Sequence, residues 1–234
     1  GMGVGEYNHL VHIGALDFVQ AIKLVEQRGL AFDEGPRGAM ASIGPVDDGV
    51  LERILMRVRH KGDVEIGMHC SPTRYVISGD ADAVKAALRL FSDETYARAR
   101  ITDARSPAHS SVMKAVGQAM RIQLEGAHFA LPQLSYLPNR MAKLMGQPLR
   151  EAFIDLLTAQ IHMPVLWRQS VDRLVNERHD AVFVEVGPGR SLYDLMERGW
   201  HGNRRYHMDH LDDVASHLDH IISELLILAP AETM

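Results

Sequence analysis

The chain opens on a run of alternating glycines, Gly1-Met2-Gly3-Val4-Gly5, directly before a helical pattern. This spacing is typical of a G-x-S-x-G nucleophile elbow, where small residues on both sides allow a very sharp turn between a strand and a helix. The central position holds Gly3, which has no hydroxyl group. Taken alone, the run is equally typical of a flexible segment before a helix, so both interpretations stay open.

Other residues that could do chemistry have ordinary interpretations when each is taken alone. Arg28 lies on a predicted helix, where an arginine is usually a solvated charge. His109 lies near the start of another, where a histidine can be a cap or a surface residue. The Gly187-Pro188-Gly189 turn is not followed by the lysine or the glycine spacing of a phosphate-binding loop. None of the 13 histidines has the spacing of a metal ligand, so no metal site is predicted.

The composition is that of a soluble globular protein with a sizeable core. The chain has 234 residues, 46% apolar, with a formal net charge of −5, so there is no basic excess to suggest a nucleic-acid surface. We find no secretory signal and no apolar run long enough to span a bilayer. The single cysteine, Cys70, is interpreted as a small buried hydrophobe in a reducing compartment, which predicts a cytoplasmic protein.

Alternating helices and strands predict an α/β fold with a mainly parallel sheet. Asp17 is a predicted cap for a helix with a continuous apolar stripe of Phe18, Ala21, Ile22, Leu24, Val25 and Phe32. After residue 103, the pattern predicts helices at 106–125, 149–160, 164–177, 191–198 and 209–228. Short strands are predicted at 134–137, 181–186 and 206–208.

Residues 36–103 have a different pattern, which predicts a small inserted subdomain. The predicted order is β-α-β-β-α-β, which is typical of a ferredoxin-like unit. We therefore predict a large α/β domain made of residues 1–35 and 104–234, interrupted by this subdomain.

An ordered set of short motifs along the chain resembles the malonyl-CoA:acyl-carrier-protein transacylase family, which includes the acyltransferase domains of polyketide synthases. Each motif is modest alone, but their order and spacing agree along nearly the whole chain. They are Gly5-Glu6-Tyr7, Gly14-Ala15-Leu16-Asp17-Phe18, Leu24-Val25-Glu26-Gln27-Arg28-Gly29, Ser71-Pro72, Val76-Ile77-Ser78-Gly79, Ser106-Pro107-Ala108-His109-Ser110, Pro164-Val165 and Glu185-Val186-Gly187-Pro188-Gly189.

The resemblance implies an α/β-hydrolase-like acyltransferase fold and a ping-pong transfer in fatty-acid or polyketide synthesis. A serine would take the acyl group from a coenzyme A thioester and pass it to the phosphopantetheine of an acyl carrier protein, with no permanently bound cofactor. By resemblance, His109 is the base, the position of Gln160 supplies the carbonyl that orients it, and Arg28 binds the malonyl carboxylate. Those residue types suit these roles, because a hydroxyl needs a base and an arginine fork matches a carboxylate.

The sequence departs from the family pattern at several positions. Gly3 stands in place of the nucleophile, and Met2 stands where the family usually has histidine. Ala108 and Cys70 replace larger or more polar groups near the acyl pocket. The resemblance also implies that the family's first strands would precede Gly1, so the large domain is expected to be incomplete. We therefore expect self-association or a second chain that supplies the missing part.

Two functional hypotheses follow. In the first, the chain is a degenerate acyltransferase that keeps its binding surface but is impaired in covalent transfer, because triad members act as one unit. In the second, it is an active transferase or thioesterase-like enzyme, using a partner chain or attack by water or thiol that His109 activates. A relocated nucleophile is a weaker alternative, for which the candidates are Cys70, Ser106, Ser110 and Ser111.

Overall fold

A computed structural model describes residues 1–196, 200, 205–208, 218–219 and 222–223 of the chain. The chain divides into two compact units, Gly1–Val171 and Asp172–Met234. Among the described residues, no helix has the length and apolar character needed to cross a bilayer. The helix predicted over 209–228 falls almost entirely outside the described residues.

Two helices, α1 (Gly5–His12) and α2 (Phe18–Glu34), follow the glycine run. As predicted, the Asp17 carboxylate caps α2, accepting a hydrogen bond from the Gln20 N–H at 3.0 Å. The predicted apolar stripe is only partly buried, since Phe18 and Ile22 are 63% and 53% exposed. The prediction was wrong for these two residues because α2 meets the core through Ala21 and Leu24 instead.

The next segment has the predicted β-α-β-β-α-β order. Its strands are β1 (Ala39–Gly44), β2 (Val64–His69), β3 (Tyr75–Gly79) and β4 (Arg98–Asp103), and its helices are α3 (Asp48–Val58) and α4 (Ala81–Glu94). The strands lie in the order β2-β3-β1-β4, and each neighbouring pair is antiparallel. A core of its own lies beneath the sheet, with Ile54, Ile77 and Phe91 fully buried. The subdomain boundaries at 36 and 103 stay a prediction.

A second core in the first unit involves the helices on either side of this segment. Helices α5 (Lys114–Glu125) and α6 (Arg150–His162) pack on each other, and α2 packs on α5. Leu10, Met120, Phe153 and Leu157 are among its buried side chains. A Cβ at Gly117 would lie 2.7 Å from the Nδ1 atom of His162, so a glycine lets α5 and α6 approach closely.

Residues 106–110 form an extended loop rather than the first turn of the predicted helix, and a 3₁₀ turn at Ser111–Met113 leads into α5. The reason is that His109 has φ 62°, which a right-handed helix excludes. The strand predicted at 134–137 is reduced to a single bridge between Tyr136 and Met145, because Pro138 offers no N–H to extend the pairing.

Helix α7 (Trp167–Glu177) begins three residues later than predicted. Val165, two residues before this helix, pairs instead with β2. Its N–H donates a hydrogen bond to the Gly67 oxygen, and its oxygen accepts one from the His69 N–H, both at 2.9 Å. This pairing attaches the edge of the four-stranded sheet to the segment after α6.

The second unit contains a small parallel sheet. Strands β5 (Phe183–Glu185) and β6 (Arg205–His207) pair in parallel, and α8 (Ser191–Leu195) lies between them in the chain. The Glu185 carboxylate accepts hydrogen bonds from the N–H groups of Leu192 and Tyr193 and so caps the start of α8.

Candidate active site

The glycine run forms a sharp turn into α1, with Gly3 at its apex. Gly3 has φ +61°, in the left-handed region that favours glycine. A Cβ added at Gly1 would lie 2.2 Å from the Gly5 oxygen, so the turn is too tight there for any side chain. At Gly3, no heavy atom of the described residues lies within 4 Å of an added Cβ. The elbow therefore has room for a serine side chain and carries none.

The backbone N–H of Val4 lies where the turn leads into α1. The Gly5 and Glu6 N–H groups bond to the oxygens of Met2 and Gly3, each at 3.1 Å, whereas Val4 N–H has no acceptor in the described part of the chain. In an elbow, the amide that follows the nucleophile is one of the oxyanion donors. The helix N-terminus adds partial positive charge at this point. The backbone can therefore still polarise an acyl oxygen.

Two buried amide side chains hold the elbow from outside. Asn139 accepts a hydrogen bond from Gly3 N–H at 2.8 Å and donates to the Gly1 oxygen at 2.7 Å. Gln160 donates from Nε2 to the Gly3 oxygen at 2.9 Å. Both side chains are at least 95% buried. The backbone on each side of Met2 is thus fixed by groups from two distant segments of the chain.

A buried carboxylate joins these two amides. Glu6 is 1% exposed and accepts hydrogen bonds from the Tyr136 hydroxyl, the Asn139 N–H and the Gln160 side chain. Burial raises the pKa of Glu6, although the three donors favour its ionised form. Glu6 is therefore hydrogen-bonded to both of the residues that hold the elbow, Asn139 and Gln160.

His109 is the buried base candidate. Its Nδ1 atom lies 2.6 Å from the backbone oxygen of Gln160, and its backbone N–H donates to the Ile161 oxygen at 2.9 Å. Because a carbonyl only accepts, Nδ1 carries the proton and Nε2 keeps its lone pair. Burial, with a smaller contribution from the Arg28 charge, lowers the pKa of His109 to about 4. His109 is therefore neutral at pH 7, with Nε2 free of hydrogen bonds to the described residues.

Arg28 is a buried cation that forms no ion pair within the described part of the chain. Its side chain lies on α2 and is 8% exposed, and no described acidic group forms an ion pair with it. Its Nε atom is fully buried without a hydrogen-bond partner. Its guanidinium carbon lies 4.2 Å from the centre of the Phe32 ring. An anion would compensate this charge, because an uncompensated buried charge is costly.

The remaining predicted pocket residues are placed as follows. Ala108 is buried directly before His109, and Met2 is half-buried beside Gly3. Cys70 is a free, buried thiol after β2, and burial raises its pKa to about 12. A thiol with so high a pKa is a poor nucleophile at neutral pH.

None of the serine alternatives lies on an elbow. The Ser110 hydroxyl donates to the Pro107 oxygen at 2.6 Å, and the Ser111 hydroxyl donates to the Glu65 carboxylate at 2.6 Å. The Ser106 hydroxyl is buried and has no hydrogen-bond partner among the residues that the structure describes. Among the described residues, no group of three or more His, Cys, Asp or Glu side chains is placed to hold a metal ion.

The acyl transferase domain, as a family model, matches residues 1–214 of the chain. The chain belongs to this acyl transferase family. The predicted α/β acyltransferase fold is confirmed, because the domain superposes with a TM-score of 0.82 on a malonyl-transacylase solved in complex with its type II polyketide synthase acyl-carrier protein. That likeness has 30% identity and covers 92% of this chain and 70% of the other.

Curated relatives of this acyl transferase domain are malonyl CoA-acyl carrier protein transacylases. The Haemophilus influenzae protein is 32% identical over 205 residues, and the Bacillus subtilis protein is 29% identical over 202 residues. Each alignment covers 85% of this chain, but only 64% and 63% of the respective relative. The chain therefore spans slightly less than two thirds of the length of these relatives.

Sequence reasoning missed the supports of the elbow. Glu6 follows the glycine run directly, so a carboxylate beside the turn was a usable signal. Asn139 lies in the irregular segment between α5 and α6, where no periodic pattern points to a position in space. Phe32 follows Arg28 by one helical turn, a spacing that predicts contact between the two side chains.

Proposed function

We propose that this domain binds malonyl-type acyl thioesters and an acyl carrier protein in fatty-acid or polyketide synthesis, and that it is impaired in covalent transfer. The coenzyme A thioester and the carrier's phosphopantetheine would be ligands of the site. The relatives are malonyl CoA-acyl carrier protein transacylases, which supports this substrate class. The observation that carries the impairment is Gly3, which occupies the apex of a formed elbow without a hydroxyl.

The groups that would bind the thioester remain in place. Arg28 would take the free carboxylate of the acyl group, because its fork offers paired donors. Val4 N–H would donate a hydrogen bond to the thioester oxygen at the helix N-terminus. The neutral His109 would face the acyl carbon with no serine to deprotonate. This arrangement favours binding over acyl-enzyme formation.

Radiolabelled malonyl-CoA tests this function directly. After incubation and denaturation, we expect no covalent label on the chain, with or without carrier protein. Isothermal titration calorimetry of the same protein should show saturable binding of malonyl-CoA. Label on the wild-type chain would contradict the impairment, and an absence of binding would contradict the proposed function as a whole.

A second candidate function is thioester cleavage by a nucleophile from outside the chain. His109 favours it, because Nε2 of the neutral imidazole has a lone pair and no partner among the described residues. Nε2 would take a proton from water while the water oxygen attacks the thioester carbon. The carbon–sulfur bond would then break, and the thiolate would take the proton back, giving the free acid and a thiol. A carrier thiol in place of water would give direct transfer.

Product analysis separates the two functions. The second candidate requires release of free malonic acid, or carrier acylation without label on this chain, and loss of either reaction in His109→Gln. If malonyl-CoA binds and stays intact over hours, binding alone is the function. A Cys70→Ala variant serves as a control whose turnover should match the wild type, because the Cys70 thiol is buried and protonated.

We also propose that this domain associates with another polypeptide, either a second copy of this chain or a different second chain. A groove of about 300 Å³ lies between α1 and α2, and its lining includes Val4, Val11, Phe18 and Ile22. Phe18 and Ile22 leave much of their apolar surface exposed there. A stable monomer in gel filtration with light scattering would count against association.

We propose a cytoplasmic location, because the single cysteine, Cys70, is a free and buried thiol, as is typical of a reducing compartment.

A further inference from the structure

We infer that Phe32 fixes the plane of the Arg28 guanidinium and thereby sets the preference of this site for acyl groups that end in a carboxylate. The inference rests on the proposed function and adds a positioning residue to it. Phe32 does not itself contact the acyl group in this proposal, and it acts through Arg28.

The contact between the two residues is a cation–π contact. They are four residues apart on α2, and the guanidinium carbon of Arg28 lies 4.2 Å from the Phe32 ring centre. Side chains four apart on a helix share one face, so the helix itself holds the pair together. Attraction between a cation and an aromatic face is strongest where water is excluded, and Arg28 is 92% buried.

The ring contact and anion binding make different demands on the guanidinium. The ring attracts the delocalised charge and offers no carboxylate or carbonyl acceptor, whereas a carboxylate binds in the plane of the group through two N–H groups. Phe32 can therefore restrict the orientation of Arg28 without occupying any of its donors. An acidic partner would restrict the orientation equally well, but it would consume the donors and neutralise the charge.

The ionisable groups near Arg28 are consistent with a guanidinium that Phe32 orients and a ligand carboxylate neutralises. Glu6 and Tyr7 are near enough to act on Arg28 electrostatically. The Glu6 oxygens, however, accept hydrogen bonds from Tyr136, Asn139 and Gln160, and none from Arg28. Within the described residues, the positive charge is thus oriented by an uncharged ring and left open to a ligand.

The experiment compares two ligands that differ by one carboxylate. Titration calorimetry of the full chain with malonyl-CoA and acetyl-CoA gives a ratio of affinities for the wild type, Phe32→Leu and Phe32→Tyr. We expect Phe32→Leu to weaken malonyl-CoA binding about tenfold while acetyl-CoA binding is unchanged. Phe32→Tyr keeps an aromatic face and should restore the wild-type ratio.

A merely structural role for Phe32 predicts another result, because a distorted site would weaken both ligands alike and leave the ratio constant. That outcome, or malonyl-CoA binding to Phe32→Leu at wild-type strength, overturns the inference while the proposed function stands. A wild type that binds no malonyl-CoA overturns both. If Phe32→Leu does not fold, Phe32→Met, an unbranched apolar substitute, decides between the same outcomes.

Discussion

The Nδ1 atom of His109 donates to the backbone oxygen of Gln160 over 2.6 Å, so a main-chain carbonyl orients this histidine. The Gln160 side chain bonds at the same time to the Gly3 oxygen. One residue near the end of α6 therefore holds both the His109 ring and the turn at Gly3.

Restoring the hydroxyl should restore covalent chemistry. We expect Gly3→Ser to gain a malonyl adduct after incubation with malonyl-CoA, because the added Cβ meets no described atom and His109 can act as its base. Intact-protein mass spectrometry measures the adduct. Gly3→Ala is the matched control, since it has the same strain at φ +61° and no hydroxyl. A serine variant that remains unmodified would show that the elbow lacks another essential group.

Stability should fall below pH 6.5 because of His109. Its pKa is lowered to about 4 in the folded chain, whereas an unfolded histidine titrates near 6.5. Between these values the unfolded state binds the extra proton, so lowering the pH favours unfolding by about 1.4 kcal/mol per unit. Urea unfolding at pH 6.5 and 5.0 should show a loss about 2 kcal/mol smaller in His109→Gln than in the wild type. Equal losses in the two proteins would contradict the lowered pKa.

Removal of the Asn139 side chain should release the elbow. Asn139→Ala leaves Gly3 N–H and the Gly1 oxygen without their partners, which costs about 2 kcal/mol or more of the free energy of unfolding. Asn139→Asp keeps an acceptor for Gly3 N–H and should lose less. Urea unfolding measures both variants. A change below about 0.5 kcal/mol in Asn139→Ala would mean that water replaces both bonds at no cost.

Cys70 should be inert in the native state. Its thiol is buried, and its pKa is raised to about 12, so almost no thiolate exists at pH 8. Ellman's reagent should therefore react with one thiol per chain in urea and with none before unfolding. Rapid modification of the native protein would reopen Cys70 as an alternative nucleophile.

The sequence predicted the parts of this site that lie in contiguous motifs. The glycine run left two interpretations open, an elbow and a flexible segment, and the structure has a sharp turn at Gly3. The resemblance placed His109 and Gln160 together, and their contact is observed. Their roles in transfer, and that of Arg28, stay predictions.

What could not be predicted depends on contacts between distant segments. Asn139 reaches Gly3 across 136 residues, from a loop without apolar periodicity. The exposure of Phe18 and Ile22 was missed because a helical stripe shows only which residues share a face, and not how much of that face a neighbour covers. The loop at 106–110 looked helical by composition, but the left-handed backbone of His109 rules out a helix there.

The carbonyls of Gln160 and Ile161 belong to the last turn of α6, where a helix has no internal partners left for its oxygens. Inserting or deleting one residue within α6 would turn these oxygens by about 100° around the helix axis and remove both from His109. Substitutions along the helix face leave the carbonyls in place. Engineering of this domain can therefore vary the side chains of α6 freely on its exposed side, but it must keep the number of residues in the helix fixed.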